Sequence, residues 1–134
     1  MDESNEKPVI RKKQMEAFSQ AAVKGFEDRT VAYLCKGYPE QCEALGKAGL
    51  GELIKYGIKR AAEYGMKTEY AVEKYIELMV IFGRDFDTNT ELPWAGQILS
   101  DKTFKNSKTK ADHLYDTAMN YVDQSSGPDR QMER

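Results

Sequence analysis

Apolar residues in this chain recur at steps of three and four, and no stretch sustains the alternation of a β-strand. That spacing winds a stripe along one side of an α-helix, so the chain must bury helices against helices. Met15, Phe18, Ala22 and Phe26 begin the pattern, and Leu50, Leu53, Ile54, Ile58, Ala61 and Ala62 form a broader stripe. Val72, Tyr75, Ile76, Met79 and Val80 make the strongest one, and Leu114, Ala118, Tyr121 and Val122 close the series. Glycine and proline punctuate it. A helix from Val9 ends at Gly37, in a left-handed conformation ahead of Pro39; one from Leu50 ends at Tyr64-Gly65; one capped by Thr68 ends at Gly83. Short helices fit between Pro39 and Leu45 and from Pro93-Trp94. The last helix starts near Thr109 and stops at Ser125-Ser126-Gly127-Pro128. The expected fold is all-α, five or six helices in a compact irregular orthogonal bundle. It forms one domain over residues 9–124, between disordered tails at 1–8 and 125–134.

With 134 residues, 40% hydrophobic and 31% charged, the chain suits a single soluble domain with a real core. It holds no run of 18 apolar residues, so a transmembrane helix is not expected. Met1 to Lys7 lacks an apolar segment, which argues against a secretory signal and for the cytoplasm. Twenty Lys and Arg against 22 Asp and Glu give a net charge of −2, with no electrostatic footprint for nucleic acid. Cys35 and Cys42, with one histidine, supply too few soft ligands for zinc. Reduced thiols are favoured over a disulfide across the Gly37-Tyr38-Pro39 turn.

Three patterns could carry chemistry. Asp85-Phe86-Asp87-Thr88-Asn89-Thr90-Glu91 places oxygen ligands at alternate positions, as a calcium loop does. Yet Thr90 stands where the turn needs Gly, and Gly96 where a bidentate Glu belongs. Side-chain capping by Asp85 or Asp87, with Phe86 and Trp94 anchoring the loop, is the better account. His113, beside Asp112 and Asp116, lacks a nucleophile-elbow serine and reads as a solvated surface residue. Lys102, Lys105, Lys108 and Lys110 read as a solvated linker.

Glu69, Glu73 and Glu77 recur every four residues along one helix face. With Asp85, Asp87 and Glu91, and only Lys74 and Arg84 opposing, they leave residues 69–91 at a net −4. Such a row is a solvated face or, with Tyr70, a surface for a basic protein partner. The expected partner-binding residues are Glu69, Tyr70, Glu73, Glu77, Asp85 and Asp87. No catalytic, cofactor-binding or metal-binding residue is expected, and eight tyrosines are many for this length.

Ala61-Ala62-Glu63-Tyr64-Gly65-Met66, Glu69, Val72 and Tyr75-Ile76-Glu77-Leu78-Met79 form a distinctive combination with Phe82-Gly83, Asp85-Phe86-Asp87, Leu92-Pro93-Trp94-Ala95 and Ile98-Leu99. It resembles small helical proteins encoded in bacterial type VI secretion clusters, beside the VgrG and PAAR spike and effector genes. Met15-Glu16, Phe18 and Pro39-Glu40-Gln41-Cys42 extend the likeness over residues 10–122. The resemblance implies an adaptor or chaperone for an effector or spike protein. The alternative is an immunity protein that neutralises an effector; an effector enzyme ranks third.

Overall fold

The computed structural model describes the backbone of residues 20–133 and the side chains of 21–124. The start of the first helix near Val9, with Met15 and Phe18, and the 1–8 tail lie outside these residues. Five α-helices are described: α1 (Gln20–Gly37), α2 (Pro39–Glu63), α3 (Glu69–Phe82), α4 (Pro93–Ser100) and α5 (Ser107–Glu133). A 3-10 turn, Phe86–Thr88, lies between α3 and α4, and no strand occurs among the described residues. The fold is all-α.

Each boundary has a local cause. Pro39 bars α geometry at the residue before it, and Tyr38 accordingly sits at φ −134°, ψ 62°. That residue, rather than a left-handed Gly37, breaks α1 from α2; the positive-φ glycines are Gly46, Gly65 and Gly83. Gly46 (φ 75°, ψ 167°) kinks α2, so a short piece from Pro39 meets a longer one that begins before Leu50. Thr68 caps α3 by accepting from the Ala71 N–H at 3.2 Å, and Gly83 closes it at φ 112°. The expected stop at Ser125-Ser126-Gly127-Pro128 is absent, because the α5 backbone continues to Glu133.

α3 is the axis of the bundle. It packs against α2 and α5, with α1 on a third side, while α4 lies on α5 and on the 3-10 turn. Val72, Tyr75, Ile76, Leu78 and Met79 are all buried, so α3 is covered around most of its circumference. α2 comes so close that a Cβ on Gly57 would lie 2.6 Å from Ile76 Cγ1 and 2.9 Å from Met79 Sδ. At the end of α3, Phe82 meets Trp94 and Tyr121 edge-on, with centroids 5.6 and 6.0 Å away. Phe86, 1% exposed, packs on Tyr75 at 5.0 Å and pins the loop as expected.

Candidate functional site

The six acidic and tyrosine residues expected to face a partner do not share one surface. Glu77 and Asp87 are 2% and 4% exposed, and each is the centre of an internal polar cluster. Glu77 Oε2 accepts from the hydroxyls of Tyr38 at 2.5 Å and Tyr115 at 2.9 Å, and Oε1 accepts from Tyr33 at 3.3 Å. One carboxylate thus ties α1 and the turn after it to α3 and α5. Burial, followed by the bond to Glu77, pushes the Tyr38 hydroxyl up; the same causes push Tyr115 up to about 12. Both remain neutral donors at physiological pH, as a buried anion requires.

Asp87 fills the second cluster. Its Oδ2 accepts from Arg60 on α2, and from the Tyr64 hydroxyl at 2.6 Å. The bond to Asp87 holds the Arg60 guanidinium charged, and burial ahead of that same carboxylate lifts Tyr64 to about 12. The calcium-loop pattern therefore has its oxygens pointing apart. Asp85 accepts from Tyr56 at 2.9 Å, Asp87 turns inward, and Asn89 accepts from the Glu91 N–H at 2.8 Å. Neither aspartate caps backbone N–H groups, contrary to expectation; Asn89 does so. No group of three His, Cys, Asp or Glu side chains able to hold a metal ion occurs among the described residues.

The other three residues are surface or edge groups, two of them with internal partners. Glu69 pairs with Arg29 of α1 at 3.0 Å, and the Tyr70 hydroxyl donates to Asp112 of α5. Glu73 is half-buried, and burial raises its carboxyl above the usual range. Six of the eight tyrosines donate to a carboxylate, which accounts for their number. Tyr33 and Tyr70 are also exposed enough to touch a partner. His113 is exposed beside Phe104, as expected, and Cys35 and Cys42 are free thiols. Burial, ahead of a hydrogen bond with Cys35, pushes Cys42 up to about 11.

The concavity best suited to a partner lies elsewhere. A groove of about 730 Å³ runs between α2, from Gln41 to Lys59, and the end of α3. Leu45, Leu53, Met79 and Val80 make its apolar wall, and Leu45 is 39% exposed. Lys55, Lys59 and Arg84 supply a basic rim against a single acid, Glu52. Arg84 lies over the Tyr56 ring, 3.9 Å from its centroid, and Tyr56 is in turn held by Asp85. Asp85 therefore stiffens a groove wall. Sequence reasoning misses this groove because Leu53, Met79 and Val80 fall on helical stripes that read as core. The signal for it is the loosening of the chain at Gly46, Gly49 and Gly51.

No helix among the described residues is long and apolar enough to cross a membrane. Comparison with family models, curated proteins and solved structures finds no match to this chain.

Proposed function

We propose that this chain is a non-enzymatic protein-binding accessory component of a bacterial type VI secretion system. In this reading it works in the cytoplasm as an adaptor or chaperone for an effector or spike protein. The observation that carries the binding role is the groove, an open apolar trough with three cations on its rim. Its chemistry suits an amphipathic partner segment with apolar anchors and flanking acids, laid against α2 as helix-in-groove ligands are. The partner is thus acidic where it docks, and the binding surface moves off the acidic face of α3. The secretion setting is supported by the sequence likeness over residues 10–122 alone.

The test is a photo-crosslinking amino acid placed at Val80 and expressed in the native host. Expected is a crosslink to a VgrG, PAAR or effector protein that is lost when Lys55→Glu and Lys59→Glu reverse the rim. Both lysines are exposed, so the fold should survive. A crosslink to a lone toxin would support the immunity reading instead. A crosslink indifferent to the rim charges would remove the groove from the binding site.

A further inference from the structure

At the other end of α2 lies a second cleft, polar where the first is apolar. It measures about 910 Å³ and is bounded by the α2–α3 connection, the 101–106 linker and the first turn of α5. Lys67, Lys102, Lys105 and Lys110 line it, against Glu63 and Asp101. Both acids are engaged. Glu63 pairs with Arg60 at 3.5 Å, and Asp101 Oδ1 accepts from the backbone and hydroxyl of Thr103 at 2.9 and 2.6 Å.

Lys102 and Lys105 are exposed and have no carboxylate at ion-pair distance among the described residues. Lys110 reaches into the cleft wall and donates to the carbonyls of Tyr64 at 2.9 Å and Leu99 at 2.8 Å. An ammonium has three N–H donors, so one remains for a ligand. Burial, followed by the charge of Lys102, pushes Lys110 below its ordinary range. The first turn of α5 carries Lys110 and no acid, the reverse of what the helix dipole favours. Positive charge is concentrated here at a cost that a bound anion would relieve.

We infer that this cleft binds a phosphate ester of nucleotide size. Its phosphate oxygens would lie on Lys102, Lys105 and Lys110, with its ring against Phe104, which forms part of the wall. Three ammonium groups suit a multiply charged phosphate better than a single carboxylate, and the volume is that of a small-molecule site. A nucleic-acid strand fits less well, since Glu63 and Asp101 interrupt any extended basic track. The site is independent of the groove, and the failure of either leaves the other standing.

Calorimetry on the full chain tests it, with ATP, adenosine and a 20-nucleotide single-stranded DNA as probes. Saturable ATP binding is expected, weakening as salt rises, and adenosine should give no signal. Lys102→Ala with Lys105→Ala should weaken ATP about tenfold or more, since both ammonium–phosphate bonds removed are charge-assisted, while the melting temperature stays put. Phe104→Ala should weaken ATP by a smaller factor. The inference is overturned if ATP shows no saturable binding at millimolar concentration, or if the double variant binds it unchanged. Tighter binding of the DNA than of ATP would equally overturn it, in favour of a polymer site.

Discussion

Glu77 on α3 and Leu45 on α2 occupy environments opposite to those that their side chains suggest. Glu77 and Asp87 are among the least exposed residues of the molecule, whereas Leu45 stands 39% exposed above an open trough. The difference lies in partners rather than in hydrophobicity. A carboxylate can be buried when donors meet it, and Glu77 collects three tyrosine hydroxyls from three directions. An apolar side chain becomes core only when another element covers it: Cys42 and Leu50 on either side are buried, whereas Leu45 points away and stays exposed.

Glu77→Ala should break the comparison most severely. It removes the acceptor of three hydroxyls at once, and hydrogen bonds to a charged group contribute roughly 1.5–3 kcal/mol each. The tyrosines are partly exposed and recover some solvation, so a loss of about 3 kcal/mol in urea unfolding is expected. Glu77→Lys should not fold. A loss below about 1 kcal/mol would show that the tyrosines are satisfied without the carboxylate.

Gly57→Ala comes next, because α2 and α3 touch there. A helical Gly→Ala change ordinarily stabilises by about 0.5–1 kcal/mol. Here the new methyl would lie 2.6 Å from Ile76 Cγ1, so overpacking should invert the sign and cost about 1–3 kcal/mol. Thermal unfolding measures it, and any stabilisation would mean that α3 shifts away at no cost.

How much of this is legible in the sequence depends on which interaction is decisive. Helix ends at Gly65, Gly83 and Thr68 follow from local chemistry and lie where the spacing puts them. The α1–α2 break also falls where the spacing puts it, but the proline's constraint on Tyr38 makes it, rather than Gly37. The acidic row misleads because spacing at i, i+4 shows that residues share a face and is silent about what covers that face. A usable signal is present. Glu77 is the lone acid in the otherwise apolar run Tyr75 to Phe82, which marks a helix buried all round. Its donors come from Tyr33, Tyr38 and Tyr115, far apart in sequence, and no local pattern links them.

Two glycines sharpen the groove side. A Cβ at Gly51 meets nothing within 4 Å, and one at Gly49 meets only Leu45, at 3.6 and 4.0 Å. Both positions lie in the second piece of α2, so alanine at either should stabilise by up to about 1 kcal/mol. Gly49 lines the groove and Gly51 does not. Gly49→Ala should therefore reduce crosslinking from Val80, whereas Gly51→Ala should leave it unchanged. Equal crosslinking in the two variants would place the partner away from this stretch of α2.

The smallest effect returns to the acidic row, at Glu73, midway between exposed and buried. Burial is the main cause of its raised carboxyl, with Glu77 and Glu69 adding to it while Lys74 and Arg29 oppose. A carboxyl raised on folding binds its proton more readily in the native state. Stability tied to it is therefore full at acid pH and is lost as pH rises through the ordinary carboxylate range to the raised value. Glu73→Gln removes that loss together with two like-charge i, i+4 contacts, each about 0.2–0.5 kcal/mol. The variant should be more stable than the parent at neutral pH by tenths of a kcal/mol, with the gap closing as pH falls. Urea unfolding at neutral and at acid pH measures both. A gap that widens toward acid pH would mean that Glu73 is held as an anion by Arg29 and Lys74. The row would then be a paired outer surface at that point, with Glu77 alone as its buried member.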